Sequence, residues 1–199
     1  PELVMTATKH DEFKEVITNS DIVTPDGVGL VIMGSLTGRR LKQRVTGVDL
    51  CDRLAQEAAK HSWSIYLLGA KPGVAEQAGK NLVAKYPELT IAGTNSGDPD
   101  DASAQDILMD ITTVEPNILL VAYGSPTQEL WIKKYRDDLG NMVTIGVGGS
   151  FDFIAGSTKR APKAVQKVGL EWLWRLAMQP KRFKRMLALP KFAILSLFK

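Results

Sequence analysis

The chain has few of the residues that build disulfides and metal centres. Its 199 residues include one cysteine, Cys51, and two histidines, His10 and His61. A single cysteine excludes an intramolecular disulfide and any site of several thiolates, and it fits a reducing, cytoplasmic compartment. Both histidines lie among polar residues in helical patterns, which is typical of surface side chains. We find no secretory signal, and no apolar run approaches the roughly 18 to 20 residues that span a bilayer.

Several motifs of nucleotide-binding and hydrolytic enzymes are also missing. The chain has no G-x-G-x-x-G at a first strand–helix turn, no Walker A sequence and no G-x-S-x-G elbow. These absences weigh against a dinucleotide-dependent oxidoreductase, a P-loop NTPase and an α/β-hydrolase. The glycines of "GVGGSF", Gly146, Gly148 and Gly149, indicate close approach of the backbone to a ligand without identifying it.

Acidic residues are scarce at one end of the chain. The net charge of +3 combines a net −7 over residues 1–158 with a net +10 over residues 159–199, where 11 basic residues face one acid, Glu171. Such a basic segment predicts a polyanionic partner, either nucleic acid or an anionic membrane. Its cations alternate with Trp, Phe, Leu and Met, which favours a membrane surface over nucleic acid. We expect Trp172, Leu173 and Leu176 to pack on the core, and Pro190 to interrupt the segment that follows.

Short apolar runs alternate with longer amphipathic segments from Ser64 onward. The pattern predicts strands over 64–70, 89–97, 117–126 and 142–152, with helices over 72–87, 101–116 and 127–140. Upstream it predicts helices over 3–18 and 48–61 and a short strand over 22–24. Continuous apolar strands that alternate with helices predict a Rossmann-like α/β fold, a parallel sheet flanked by helices, with a basic amphipathic C-terminal helical appendage.

The predicted strands end in glycine-containing loops. In open α/β sheets, ligands bind beyond the carboxyl ends of the strands. Those ends read "VTPDG", "LLGAKPG", "AGTNSGD", "VAYGSPTQE" and "GVGGSFD", which favours a nucleotide-sized ligand. Asp26 in the first of them belongs to Pro-Asp-Gly, a common turn tripeptide, so it is either an ordinary turn residue or a catalytic carboxylate.

Six motifs in one order carry a family resemblance. They are "DIVTPDGVGLV", "RVTGVDL", "YLLGA", "VAYGSPTQELWI", "GVGGSFDFIAGSTKRAP" and "GLEWLWRLAMQPKRFKRM". Together, from Pro1 to about Lys191, they resemble the TagA/WecG/CpsF family of bacterial glycosyltransferases. The resemblance implies transfer of a sugar from a UDP-sugar to an undecaprenyl-diphosphate-linked saccharide, with inversion at the anomeric carbon. The wall-teichoic-acid branch of that family adds N-acetylmannosamine to lipid-linked N-acetylglucosamine.

The resemblance assigns the catalytic base to Asp26. An inverting displacement needs one carboxylate to take the acceptor proton, and it needs no second carboxylate as nucleophile. Arg44 and Arg160 are the candidates for the UDP diphosphate, since guanidinium matches phosphate bidentately. Asp26 and Arg44 are therefore the predicted catalytic residues, with Asp152 as the alternative base. The predicted substrate-binding residues are Gly27, Asp49, Gly69, Tyr123, Gly124, Gln128, Glu129, Gly149, Asp152, Arg160, Arg182 and Arg185.

Two of these residues have an ordinary structural explanation. Glu129 could be a first-turn acid favoured by the helix dipole, and Asp49 could cap a helix that starts near Leu50. We see no D-x-D motif placed to hold a metal on the diphosphate, so we expect neither a metal nor another cofactor.

The resemblance also predicts the organisation of the chain. A glycosyltransferase domain is expected over residues 1–178, and a basic membrane-associating appendage over 179–199. Family members carry a further N-terminal segment with a Thr-Pro-Asn stretch that lines the site, and we expect it to be missing before Pro1, together with part of the acceptor pocket. The expected location is the cytoplasm, peripheral on the inner face of the plasma membrane, where the apolar tail could also drive self-association.

Two other functions are compatible with the sequence. Transfer of another hexose in the same family, such as glucose or N-acetylmannosaminuronic acid, would suit surface polysaccharide synthesis. A non-catalytic nucleotide-sugar-binding protein that docks on the membrane is the alternative from a different class.

Overall fold

The computed structural model of the protein describes residues 1–180 and 183–197. Its strands are β1 (Ser64–Gly69), β2 (Thr90–Asn95), β3 (Ile118–Ala122) and β4 (Val143–Gly146). The helices, in chain order, are α1 (Glu2–Ala7), α2 (Asp11–Asn19), α3 (Val28–Leu36), α4 (Gly47–His61), α5 (Val74–Lys85), α6 (Asp101–Val114), α7 (Thr127–Lys134), α8 (Arg136–Leu139), α9 (Ser150–Ile154), α10 (Lys163–Lys167), α11 (Glu171–Met178), α12 (Phe183–Met186) and α13 (Ala188–Leu197).

The chain forms two compact units. The sheet unit spans Gly47–Thr158, and the terminal unit combines Pro1–Thr46 with Lys159–Lys199. The terminal unit thus brings the first predicted loop, "VTPDG", into the same body as the basic C-terminal segment. The boundary expected at residue 178 stays a prediction.

The sheet is parallel throughout, in the order β2-β1-β3-β4. Alternate residues of β1 enter opposite cores: Ile65 and Leu67 pack with α4, α5 and α9, whereas Tyr66 and Leu68 pack with α6, α7 and α8. Burial on both faces explains why the strands read as continuous apolar runs. The predicted α/β class, a parallel sheet flanked by helices, is confirmed.

The helices of the sheet unit begin and end where local chemistry sets them. Asp100 caps α6, because its carboxylate accepts the N–H of Ser103 at 3.2 Å. The same helix ends at Val114, and its C-cap residue Glu115 adopts a left-handed φ of 43° just before Pro116. On α4, the small residues Cys51, Ala55 and Ala58 form the buried face.

Burial has a chemical effect on Cys51. The side chain is fully buried in the core beside the sheet. Because a thiolate there would lose its hydration, burial raises the pKa of the thiol to about 12. The thiol is therefore protonated and unreactive at neutral pH.

Residues 1–46 of the terminal unit differ from the sequence expectations in three places. The helix predicted over 3–18 is broken between α1 and α2, and α3 was not predicted, because its nearly all-apolar sequence with Gly29 and Gly34 has weak helical periodicity. The prediction of a short strand over 22–24 was wrong. Ile22 is 83% exposed, and an apolar run without a neighbouring strand has nothing to complete its hydrogen-bond ladder.

The basic C-terminal segment contains a helix break, but not at Pro190. The chain turns at Leu187, between α12 and α13, whereas Pro190 lies in the first turn of α13, where its missing N–H costs no intrahelical hydrogen bond. α13 packs against α1 and α3 and buries Phe192. Within the described residues, no helix is both long enough and apolar enough to cross a bilayer.

The orientation of α11 was also predicted wrongly in part. Trp172 and Leu173 are exposed rather than packed on the core. Leu176, the third residue predicted to pack, is partly buried, together with Glu171, Trp174 and Arg175. Trp174 and Arg175 follow Glu171 by three and four residues, so these three share one face of the helix. The helix therefore turns charged side chains inward, which bears directly on the candidate site.

Candidate active site

The Pro-Asp-Gly tripeptide leads directly into a helix. Gly27 is the N-cap residue of α3 and has an ordinary extended backbone, with φ −84° and ψ 135°. The left-handed freedom of glycine is therefore not used here, although a Cβ on Gly27 would lie 2.7 Å from the ring of Pro1. The carbonyl of Pro25 accepts the N–H of Val45 at 3.0 Å. This bond holds the segment that carries Arg44 beside the segment that carries Asp26.

Arg44 and Arg160 are brought together by one carboxylate. Glu171 accepts a hydrogen bond from Arg44 Nη2 at 2.7 Å and another from Arg160 Nε at 3.0 Å. Arg160 also donates from Nη2 to Thr46 Oγ1 at 3.3 Å. The two predicted phosphate ligands are thus neighbours, although 116 positions separate their numbers in the sequence. The charges of Arg44, Glu171 and Arg175 also act on the carboxyl of Asp26. We call these four residues, with Arg160 and the neutral Thr46, the charged cluster.

The environment of Asp26 favours its protonated form. Its side chain keeps access to solvent, yet the protein atoms around the carboxyl displace enough water to raise its pKa above the ordinary value. The charges of Arg44 and Arg175 act in the opposite direction, and that of Glu171 adds to the rise. An acid with a raised pKa beside guanidinium groups is the kind of group that works in proton transfer.

Other predicted residues lie at the carboxyl edge of the sheet. Gly69 ends β1 and pairs with Ala122, which ends β3, so Tyr123 and Gly124 follow at the same edge. The strand order changes direction between β1 and β3, which is where open α/β sheets bind ligands. A Cβ on Gly69 would lie 2.9 Å from the backbone of Ala122, so only glycine permits this approach.

Gln128 supports the loops at this edge. It is buried, and its Oε1 accepts the N–H groups of Gly124 and Gly148. Its Nε2 donates to Glu129 Oε1 at 2.8 Å. Gln128 therefore holds the loop after β3 to the loop after β4, which is a positioning role. Glu129 lies in the first turn of α7, where the helix dipole favours an acidic side chain.

Two buried polar atoms at this edge have no hydrogen-bond partner among the described residues. Tyr123 Oη and Glu129 Oε2 make no hydrogen bond to any described residue. A buried polar atom without a partner is costly, so a hydrogen-bonding ligand would satisfy both. Burial, with the nearby charges of Asp98 and Asp100, raises the pKa of Tyr123, which keeps its hydroxyl as a donor. Substrate binding by Tyr123 and Glu129 stays a prediction with this support.

The remaining predicted residues of the sheet unit lie at helix starts. Gly149 is the N-cap residue of α9, and Asp152 lies in its first turn, where its side chain is contacted by Ser157 Oγ at 3.4 Å. Asp49 does not cap a helix near Leu50, because α4 already begins at Gly47 and places Asp49 inside its first turn. The substrate-binding assignments of these three residues stay predictions.

Sequence reasoning overlooked several residues. Asp98-Pro99-Asp100 is a D-x-D tripeptide, but Asp100 is occupied as the cap of α6, and Asp98 accepts the N–H of Asp100 at 3.3 Å. Glu171 had a visible signal, since it is the one acid in the basic C-terminal segment. Neither Thr46 nor Arg175 had a comparable signal in the sequence.

The two predicted substrate-binding arginines of the C-terminal segment cannot be placed. Arg182 lies outside the described residues, as does the side chain of Arg185, whose backbone belongs to α12.

A carboxyl group of raised pKa beside guanidinium groups suits a transferase whose substrate carries phosphate. Comparison with known proteins identifies the class: the family described as the Glycosyl transferase WecG/TagA/CpsF family matches residues 1–199, and the chain belongs to it. The protein is a glycosyltransferase.

Named relatives in three bacteria cover nearly the whole chain. A protein of Bacillus subtilis (strain 168) is 38% identical over 194 residues, which are 98% of this chain and 75% of the relative. One of Bacillus spizizenii is 33% identical over 192 residues, 96% of this chain and 74% of the relative. One of Staphylococcus aureus (strain MW2) is 32% identical over 192 residues, with 96% and 75% covered. Each is named N-acetylglucosaminyldiphosphoundecaprenol N-acetyl-beta-D-mannosaminyltransferase.

Proposed function

We propose that this protein transfers N-acetylmannosamine from UDP-N-acetylmannosamine to N-acetylglucosamine linked to undecaprenyl diphosphate, with inversion at the anomeric carbon. In wall teichoic acid synthesis this step builds the linkage unit. The shared name of the relatives supports the acceptor and the transferred sugar. The observation that carries the proposed chemistry is the pairing of Arg44 and Arg160 through Glu171, with the charges of Arg44 and Glu171 close to the carboxyl of Asp26, whose pKa is raised by desolvation.

Asp26 acts as the general base in this proposal. Its carboxylate takes the proton of the acceptor hydroxyl while the hydroxyl oxygen forms a bond to the anomeric carbon of the donor. The bond from that carbon to the UDP oxygen breaks, and UDP leaves with the electron pair. A single displacement of this kind inverts the anomeric centre and requires no carboxylate nucleophile.

Arg44 and Arg160 stabilise the diphosphate in this proposal. Negative charge grows on the leaving UDP oxygen in the transition state, and guanidinium donors oriented beforehand lower its energy. Such donors replace the general acid that a less acidic leaving group would need.

We propose that the reaction needs no metal. The support is that both carboxylates of the D-x-D tripeptide already accept backbone hydrogen bonds. Asp100 accepts the N–H of Ser103 as the cap of α6, and Asp98 accepts the N–H of Asp100. Activity should survive an excess of chelator. Strong inhibition that magnesium reverses would contradict this proposal and would make Asp98 the first residue to mutate.

We propose a peripheral position on the inner face of the plasma membrane. The acceptor is anchored by its lipid, and the basic C-terminal segment matches an anionic surface in charge. Cations near such a surface contribute about 1 kcal/mol each, and salt screens them.

A donor panel tests the proposed function. Purified protein is incubated with the lipid-linked acceptor and with UDP-N-acetylmannosamine, UDP-N-acetylglucosamine, UDP-glucose or UDP-N-acetylmannosaminuronic acid, and UDP release is measured. We expect turnover above background with the first donor, and a product whose anomeric configuration, measured by NMR, is opposite to that of the donor. Preferred use of another donor would reassign the substrate, and absence of turnover with every donor would reject the enzyme.

A further inference from the structure

Glu171 occupies an unusual position in the charge pattern of the chain. It is the one acid among residues 159–199, where 11 residues are basic. With so many cations nearby, this carboxylate could pair with side chains on its own helix or on the adjacent loops. It accepts hydrogen bonds from Arg160 and from Arg44, which lies 127 positions away in the sequence.

The geometry at Glu171 uses both carboxylate oxygens. Oε2 accepts from Arg44 Nη2 at 2.7 Å, and Oε1 accepts from Arg160 Nε at 3.0 Å. A carboxylate that bridges two guanidiniums fixes their separation and the planes in which they lie. Each guanidinium has five N–H donors, and the hydrogen bond from Arg44 to Glu171 uses one of them.

The three side chains are too enclosed for an ordinary surface ion pair. Their side-chain exposures are 21% for Arg44, 23% for Arg160 and 20% for Glu171. Without a carboxylate between them, two partly desolvated cations would repel each other and move apart. The inward-turned face of α11 delivers Glu171 to this position while Trp172 and Leu173 stay exposed.

We propose that Glu171 is a positioning residue: its carboxylate holds Arg44 and Arg160 in the arrangement in which they receive the diphosphate of the substrate. Glu171 itself makes no contact with the reacting atoms. This inference rests on the proposed function, because it takes the two arginines to be the diphosphate ligands.

A second consequence concerns the proton affinity of Asp26. The charged side chains that act on this carboxyl are those of Arg44, Arg175 and Glu171. Glu171 raises the pKa of Asp26, whereas the cations lower it. Removing the negative charge at position 171 should therefore lower the pKa of Asp26, and shift the acid limb of the pH profile of kcat/KM to lower pH.

The test compares Glu171→Gln with Glu171→Asp. Gln keeps the size but loses the charge, so we expect KM for the donor or the acceptor to rise roughly ten- to hundredfold because the arginines lose their fixed geometry. The acid limb should move to lower pH in the same variant. Asp keeps the charge but is one methylene shorter, so it should raise KM while leaving the acid limb near its original pH.

Glu57→Gln is the matched control. Glu57 also pairs with two cations, but its partners Arg53 and Lys60 are exposed, at 68% and 54%, whereas those of Glu171 are enclosed. It should show unchanged KM and an unchanged pH profile. If Glu171→Gln is folded and behaves like this control, the inference is wrong.

A measurement without turnover separates this inference from the proposed function. The 13C resonance of the Asp26 carboxyl is titrated by NMR in wild type, Glu171→Gln and Glu171→Asp. A lower midpoint in Gln alone supports the inference even if the donor panel rejects N-acetylmannosamine transfer. Equal midpoints in the three proteins, or losses of activity that follow only their melting temperatures, would overturn it. If Glu171→Gln does not fold, an unaltered KM in Glu171→Asp would overturn it as well.

Discussion

Gln128 Oε1 accepts the backbone N–H of Gly148 at 2.9 Å, and the same oxygen accepts that of Gly124 at 3.1 Å. One buried amide therefore fastens two loops at the carboxyl edge of the sheet. Gln128→Ala should lower the free energy of unfolding by about 1 to 3 kcal/mol, because it leaves buried N–H groups without an acceptor. Urea melts measure this, and Gln77→Ala, at an exposed position on α5, should change little. An unchanged midpoint for Gln128→Ala would mean that water replaces the amide without loss.

Asp26→Asn should abolish most of the activity. Asn keeps the size of Asp26 but cannot take the acceptor proton, and loss of a general base costs about 10²- to 10⁴-fold in rate. UDP affinity, measured by calorimetry, should stay nearly unchanged. Asp152→Asn tests the alternative base and should retain far more activity than Asp26→Asn. If the folded Asp26→Asn variant kept more than about half the rate, the base would have to be sought elsewhere.

The same substitution should stabilise the protein. The pKa of Asp26 is raised above its ordinary value of 3.8, so its contribution to stability is complete below that value and is lost as pH rises through the raised pKa. Asn does not titrate. The melting temperature of Asp26→Asn should therefore exceed that of wild type increasingly as pH rises from acid to neutral. A melting difference that does not vary with pH would contradict the raised pKa.

Arg44→Ala and Arg160→Ala should each weaken use of a diphosphate substrate by about 1.5 to 3 kcal/mol, the range for a charge-assisted hydrogen bond. Titrating donor and acceptor separately shows which substrate each arginine contacts. Arg53→Ala, on the exposed surface of α4, is the control and should leave both KM values unchanged. Normal kinetics in both cluster variants would remove the arginines from the mechanism.

Neutralising the basic tail should release the protein from membranes. Because α13 packs on α1 and α3, the test replaces Lys181, Arg182, Lys184 and Arg185 with Gln rather than deleting residues 181–199. We expect wild type to sediment with anionic vesicles at low salt and much less at high salt, and the variant to sediment weakly at both. A matched variant with four Lys→Gln changes in the sheet unit, at Lys71, Lys80, Lys85 and Lys133, should sediment like wild type. Equal binding of all three proteins would leave the tail as a packing or oligomer element.

The sheet unit could be predicted from sequence because burial dictates its pattern. Both faces of β1 and β3 are covered, so their apolar runs are uninterrupted, and the helices between them carry clear periodicity. Caps and breakers such as Asp100 and Pro116 then set the limits of α6.

The terminal unit was harder to predict because its contacts are distant in sequence. Ile22 and Val23 look like a strand locally, but a strand exists only where another strand pairs with it, and sequence alone does not reveal that partner. Likewise, the residues of α11 show which positions share a face, but not whether the apolar or the charged face turns inward. Arg44 and Arg160 were predicted individually from their chemistry. Glu171 stands out in the sequence as the one acid of a basic segment, but only the fold shows that it joins these two arginines.

The lone, buried Cys51 makes the protein convenient for spectroscopy. Its pKa of about 12 keeps maleimides and nitroxide reagents from reacting with it at neutral pH in the native state. A cysteine introduced at an exposed position, such as Ala84 on α5, would then take up the label selectively, with no need to remove the native thiol. With one such label in each compact unit, the distance between the two units could be measured directly.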